Sequence, residues 1–414
     1  MIPGGLLLAG ALLLRVPEPG VQEIERGGAR WRFSPSEAAA VTRWEPVLRR
    51  FLGKPAGGGR ILVVIFSDPA AKGRETGSSR PADLSESGEE IRVDLDASAP
   101  KEPDVSTPVL ASAAYAARDR RLLARPALLA ALGARASGRW WGRDVGGFAA
   151  FAKKAGVEPS VEEVLSSNPE VSPVIGTGAA ASWIAAGIER EGEAPVLAAI
   201  AGPEAALRAA LSRWAEEAAP ANRSVEAPAR RSLPAGFLRG ISYAMSNSVE
   251  MSYASPRSRQ TLARVAKLSA GSISIMPFAF MRDAASPWIG FIHRRPGGET
   301  DEGTVRAVSD ARELGMTAMV KPQIWVGRGR FVGEIAMAGE EDWTRFFDSY
   351  RRFVVHHAVV SEAAGAALFC VGTELVATEK RARQWRETIA AVRLATGAPL
   401  LYAANWAAGA PKVP

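Results

Sequence analysis

Apolar and polar positions give this chain two rhythms that change near residue 216. In the first half, residues 36–52 repeat apolar positions at helical spacing, with Ala40, Val41, Trp44, Val47, Leu48 and Phe51 on one face and Ser34 or Ser36 as the cap. The unbroken apolar run 61–66 predicts a buried strand, and the alternation from Ile91 predicts a half-buried one. Residues 69–90, rich in Gly, Ser, Pro and charge, read as a long surface loop. Helical patterns follow at 108–117, 122–132 (ended by Gly133), 146–154, 160–165, 179–189 and 203–218. Two strands followed by a run of helices predict an α+β domain over 21–215. Residues 216–235 carry no sustained period and read as a linker.

From 236 onward the pattern becomes strand, loop, helix, repeated. Strands are predicted at 238–244, 272–276, 317–321, 366–371 and 400–404. Helices are predicted at 256–269 (Leu262, Val265, Ala266 and Leu268 inward), 300–314, 341–360 and 380–396, and Gly315 and Gly397 end the second and fourth. Such alternation implies a parallel sheet, in which polar groups just beyond the strand ends reach ligands. Those positions hold Phe278, then Lys321, Gln323 and Trp325, then Thr373 and Glu374, then Asn405 and Trp406.

Composition narrows the chemistry. Of 414 residues, 47% are hydrophobic, enough for packed cores. The formal charge is +7, but the arginines are scattered without interleaved aromatics, which argues against a nucleic-acid partner. A single cysteine, Cys370, permits no internal disulfide, and with only His293, His356 and His357 a Cys/His zinc site is not expected. No metal or cofactor is expected, and His356 and His357 read as packing or solvent-facing residues of a helix. The apolar run 6–14 is too short to span a bilayer and no other segment is longer, so no integral span is expected. Residues 1–20 have the length of an export signal but lack a basic residue before the apolar run. Periplasmic or extracellular export is the expectation, with a cytoplasmic location or a buried first element as alternatives.

Glu374 follows the buried run LFCVGT, which suits a general acid: partial burial raises a carboxyl pKa toward neutrality. Taken alone, a strand-end glutamate also fits a salt bridge or a cap. Trp343, Phe346, Phe347 and Tyr350 have the helical spacing of core residues. Trp325 and Trp406 fit either a core or a platform for a sugar ring.

The ordered motifs MVKPQIWVGRGRFVGEI, a Trp-Phe-Phe-Tyr helix, FCVGTEL, QWRETIAAVR and LLYAANW resemble glycoside hydrolase family 113 over about 236–406. The resemblance implies an α/β fold, a TIM barrel, with retaining β-mannanase-type activity on an oligo- or polysaccharide. It implies that Glu374 is the acid/base and that Lys321, Trp325, Asn405 and Trp406 line the cleft. Thr373 stands where related barrels carry a sugar-binding Asn. The family's nucleophile follows strand seven, whereas 236–414 supplies about five βα units, an incomplete (β/α)8 barrel that lacks it. The first half resembles gluzincin peptidase domains: 109–117 lies where they carry HExxH but holds neither His nor Glu, and 182–192 resembles their later helix. The expectation is a truncated glycoside hydrolase preceded by a metal-free peptidase-like domain. A carbohydrate-binding or scaffold protein without catalysis is the alternative.

Overall fold

The computed structural model describes residues 21–52, 60–78, 80–166, 171–219, 224–245, 251–291, 299–406 and 413. Residues 1–20 and His293 lie outside them. No helix among the described residues is long and apolar enough to cross a membrane.

The first half begins with a hairpin of β1 (Gln22–Arg26) and β2 (Ala29–Phe33) that the pattern reading missed. Then come α1 (Ala38–Leu52), β3 (Arg60–Phe66), α2 (Pro69–Thr76), β4 (Ala82–Ser87) and β5 (Glu90–Asp96). The five strands form one sheet in the order β1-β2-β3-β5-β4. The surface loop expected over 69–90 is therefore a helix and a strand. Asp68 accepts from the amides of Ala70 and Ala71, Pro69 opens the helix, and Gly77 closes it at φ 74°. Its charged-looking sequence buries Lys72 completely against Asp83. β5 is not half-buried as its alternation implied, because Asp94 and Asp96 are buried as well.

Helices cover this sheet: α3 (Ser106–Arg118), α4 (Pro126–Ser137), then, after the two-residue ribbon β6 (Arg139–Trp140) and β7 (Arg143–Asp144), α5 (Phe148–Lys154), α6 (Val161–Leu165), α7 (Pro173–Glu191), α8 (Glu193–Ile200) and α9 (Glu204–Ala218). Gly133 was expected to end a helix and instead sits inside α4. A side chain there would run into the Pro108 carbonyl and Ser112 Oγ, so the glycine lets α3 and α4 approach closely.

The second half alternates as expected: β8 (Gly240–Tyr243), α10 (Pro256–Lys267), β9 (Ser272–Ile275), α11 (Asp301–Glu313), β12 (Thr317–Val320), α12 (Glu340–Ala363), β14 (Leu368–Thr373), α13 (Ala382–Ala395) and β15 (Leu400–Ala403). These strands are all parallel and lie in the order β15-β14-β12-β9-β8. Consecutive neighbours joined by helices are the first five units of a βα barrel, and the sheet is open among the described residues. One face, with Ile273, Ile275, Ala318, Val320 and Phe369, packs on the helices; Trp343, Phe346, Phe347 and Tyr350 of α12 are buried there as expected. Leu268 is exposed, not inward, because α10 ends at Lys267. Ile241 and Leu401 on the two edge strands are exposed, as an open sheet requires.

Three further short strands interrupt the repeat: β10 (Phe278–Met281), β11 (Gly290–Phe291) and β13 (Gln323–Val326), ordered β11-β10-β13. Pro277 separates β9 from β10, and Pro322 separates β12 from β13. A proline cannot donate to a ladder, so each long strand breaks into two and the second piece starts a new sheet.

The halves share packing. Phe148, Phe151, Val174 and Ile175 enter the same apolar cluster as Val359 and Val360 of α12. Arg80 pairs with buried Glu302 at 3.4 Å, and Arg352 with Glu163 at 2.6 Å. The stretch read as a linker is held down: Arg231 pairs with Glu362 at 2.7 Å, and its amide donates to the Gly397 carbonyl at 2.8 Å.

Candidate functional site

β14 carries Glu374 to the open end of the sheet. All six of its residues are buried, and Tyr350 Oη donates to the Val371 carbonyl at 2.6 Å, fixing the strand to α12. The pairing with β15 slips between Cys370 and Gly372, an irregularity of the kind that re-aims the next side chain. Glu374 follows with φ 54° while its amide donates to the Ala403 carbonyl at 2.8 Å. A left-handed backbone costs a non-glycine residue about 1–3 kcal/mol, so the surrounding contacts hold it there against its preference. The side chain is half-buried, and Asn405 Nδ2 donates to Glu374 Oε1 at 3.2 Å.

Lys321, just past β12, donates from Nζ to Ser242 Oγ of β8 at 3.2 Å. It therefore reaches across the sheet over β9. Phe278 and Trp325 meet edge-on, centroids 6.3 Å apart, and Phe278 lies in register with Gln323. These residues follow β9 and β12, where the sequence puts them, and lie on the two further short strands β10 and β13. Thr373 is buried, with its hydroxyl 3.9 Å from Cys370 Sγ. Cys370 is buried too, as expected, and burial pushes its thiol pKa up. Trp406 stands almost fully exposed. The geometry thus joins Glu374 to Asn405 and Phe278 to Trp325, leaves Thr373 beneath the surface and puts Trp406 in solvent.

Glu299 escaped the sequence reading. Its Oε2 accepts from the Phe278 amide at 2.5 Å, just beyond β9. Beside it, Tyr253 Oη donates to the Tyr243 carbonyl at 2.8 Å and accepts from the Met276 amide at 3.1 Å, tying the ends of β8 and β9 together. Burial pushes Glu299 up to about 7, opposed by the Phe278 amide. No local pattern announces such a group, because its environment is assembled from distant strand ends. The folded state holds this proton more tightly than the unfolded chain. Its contribution to stability is therefore fully present below about pH 4.5 and is lost as pH rises through 7, on the order of 3 kcal/mol. Glu299→Gln should remove that slope: chemical denaturation at pH 4 and pH 8 should show the variant gaining on the wild type only at pH 8. An equal difference at both pH values would contradict the assignment.

One further group of ligand-type side chains converges among the described residues: Asp301, His356 and His357, all buried, with one ligand atom from each within 4.8 Å of the others. The hydrogen bonds of His356 define a relay there. Ser172 Oγ accepts from the Ile175 amide at 3.1 Å and is hydrogen-bonded to His356 Nδ1 at 2.5 Å. His356 Nε2 then donates to Asp301 Oδ1 at 2.7 Å. The relay links the start of α7 to α11 and α12.

Residues 241–409 match the model of Glycoside Hydrolase Family 113, and this stretch is glycoside-hydrolase-like with an incomplete-barrel fold. Among solved structures, the chain is similar to the GH113 β-mannanase AaManA from Alicyclobacillus acidocaldarius in complex with ManMIm, at 25% identity and a TM-score of 0.39, over 42% of this chain and 56% of that one. It is also similar to a GH113 β-1,4-mannanase, in a complex (24%, TM-score 0.36) and without one named (23%, TM-score 0.36), each over 40% of this chain and 55% of that one. The chain thus spans a little over half the length of these proteins. A comparison with curated proteins gave no match.

Proposed function

We propose that residues 236–414 supply the acid/base half of a retaining glycoside hydrolase site for a β-linked, mannan-type glycan, with Glu374 as the general acid/base. The observation that carries this is Glu374 itself, held at φ 54° beyond β14 and hydrogen-bonded by Asn405, inside the stretch that matches the family. Backbone strain kept at a strand end is a mark of function. Glu374 would protonate the departing glycosidic oxygen and then deprotonate the incoming water. Lys321 and Asn405 would hold sugar hydroxyls, with Gln323 beside them, and Phe278, Trp325 and Trp406 would offer ring faces.

Retaining hydrolysis needs a second carboxylate roughly 5–5.5 Å from the first, acting as nucleophile. We place it on a strand beyond the fifth, so that a form carrying three more βα units would be the active one. A non-catalytic glycan-binding role is the second reading, favoured by the open sheet. Isothermal titration of residues 1–414 with a β-1,4-mannan oligosaccharide should show saturable binding without cleavage. Robust turnover that Glu374→Gln abolishes would place both carboxylates in this chain, and an absence of binding would remove the substrate class.

A further inference from the structure

The second small sheet exposes more aromatic surface than an open barrel explains. The edge strands β8 and β15 have a neighbour on one side only, which accounts for exposed Ile241 and Leu401. β10 has neighbours on both sides, yet it leaves Phe280 40% exposed. On β10 and β13, Ala279, Met281, Ile324 and Val326 turn into the core. By strand alternation the opposite face carries Phe278, Phe280, Gln323 and Trp325. Phe280 lies in register with Trp325, which is 61% exposed, and with Gly290 of β11, which offers no side chain to cover it. Trp288, two residues before Gly290, is 47% exposed.

This face connects to Glu374. Gly333 is wedged so that any side chain would strike the Phe331 ring on one side and the Glu374 carbonyl on the other. Phe331, 41% exposed, therefore stands beside the main chain of Glu374. The loops are fixed in place: the Ala336 amide donates to the Ala284 carbonyl at 3.1 Å, and the Ile289 amide to Ser349 Oγ at 3.0 Å.

We infer that Phe331, Trp325, Phe280 and Trp288 form a continuous binding shelf along which a β-linked hexopyranose chain lies as it leaves Glu374. A pyranose with equatorial links shows a flat face of C–H bonds, which packs on the negative face of an aromatic ring. Rings on adjacent strands, about 4.8 Å apart, repeat that contact. Gln323 on the same face can bond hydroxyls at the ring edge. Fixed loops keep the ordering cost of binding low. The inference rests on the glycan reading above, to which it adds Phe280, Trp288 and Phe331.

The test is titration of residues 1–414 with β-1,4-mannohexaose and with mannobiose, using Phe280→Ala, Trp325→Ala and Leu268→Ala. Leu268 is exposed at the end of α10 and controls for loss of surface apolar area. Each shelf variant should weaken hexaose binding by roughly 2- to 12-fold, weaken mannobiose binding less, and keep the wild-type melting temperature. Leu268→Ala should bind as wild type. Unchanged hexaose affinity in both shelf variants would overturn the shelf, as would no binding by the wild type. A change in sedimentation coefficient instead of affinity would also overturn it, because the face would then be covered by protein. The two proposals fail separately: a three-unit-extended form that hydrolyses mannan while the shelf variants bind normally removes only the shelf. Shelf-dependent binding together with no hydrolysis by the three-unit-extended form removes only the catalytic reading.

Discussion

Glu374→Gln, in a form extended by three βα units that bring a nucleophile, should lower kcat on a β-1,4-mannan oligosaccharide by a factor on the order of 10²–10⁴, the usual worth of a positioned general acid or base. Glutamine keeps the size of the side chain and can still accept from Asn405 Nδ2, 3.2 Å away in the wild type. The loss would therefore report the proton and not the packing. The deficit should depend on the leaving group. An alkoxide from the next sugar needs protonation as it departs, while an acidic phenol does not. Measured on an aryl β-mannoside with an acidic phenol, the first step should recover most of its rate. A deficit independent of the leaving group would mean that Glu374 acts through structure alone.

The largest effect on stability is expected at His356. The Ser172–His356–Asp301 relay is fully buried and holds three helices from both halves of the chain. Asp301 is the first residue of α11 and Ser172 caps α7. The N-terminus of α11, worth roughly half a positive charge, therefore lies at the carboxylate, while that of α7 lies across the imidazole from it. His356→Leu fills the space but takes one hydrogen-bond partner from buried Asp301 and another from Ser172. Removing one partner from such a network should cost about 2–4 kcal/mol. Double-variant cycles with Ser172→Ala should show coupling, because both changes break the same bond. Hydrogen exchange should quicken at the start of α7 as well as in α12. A cost below about 1 kcal/mol without coupling would mean that packing, not the relay, joins these helices.

Much of the second half was legible because its signals are local. LFCVGT is a continuous apolar run, as a strand buried on both faces must be. The aromatics of α12 recur at helical spacing, and Gly315 takes φ 77° right after α11. Glu374 could be found for the same reason: it follows the clearest strand. Its left-handed backbone could not, since that comes from pairing with Ala403 across a slipped register. The first half was read less well where composition outweighed geometry. Asp68 and Pro69 are sound helix-start signals, but the charge and glycine around them concealed α2. Gly133 has the look of a terminator and serves instead as a point of close approach between two helices. The second small sheet was missed because Pro277 and Pro322 end two strands that resume at once, and with it went the exposure of Phe280. Glu299 and the His356 relay depend on partners distant in sequence, which no periodicity encodes.

Glu374 is proposed as one half of a glycosidase site. Its most direct test is a time course of reducing-end release from a β-1,4-mannan oligosaccharide, run on residues 1–414 and on the extended form, each with and without Glu374→Gln. Residues 1–414 should give no release, the extended form should give release, and Glu374→Gln should abolish it. Release by residues 1–414 alone, or release from the extended form that Glu374→Gln leaves intact, would contradict that proposal.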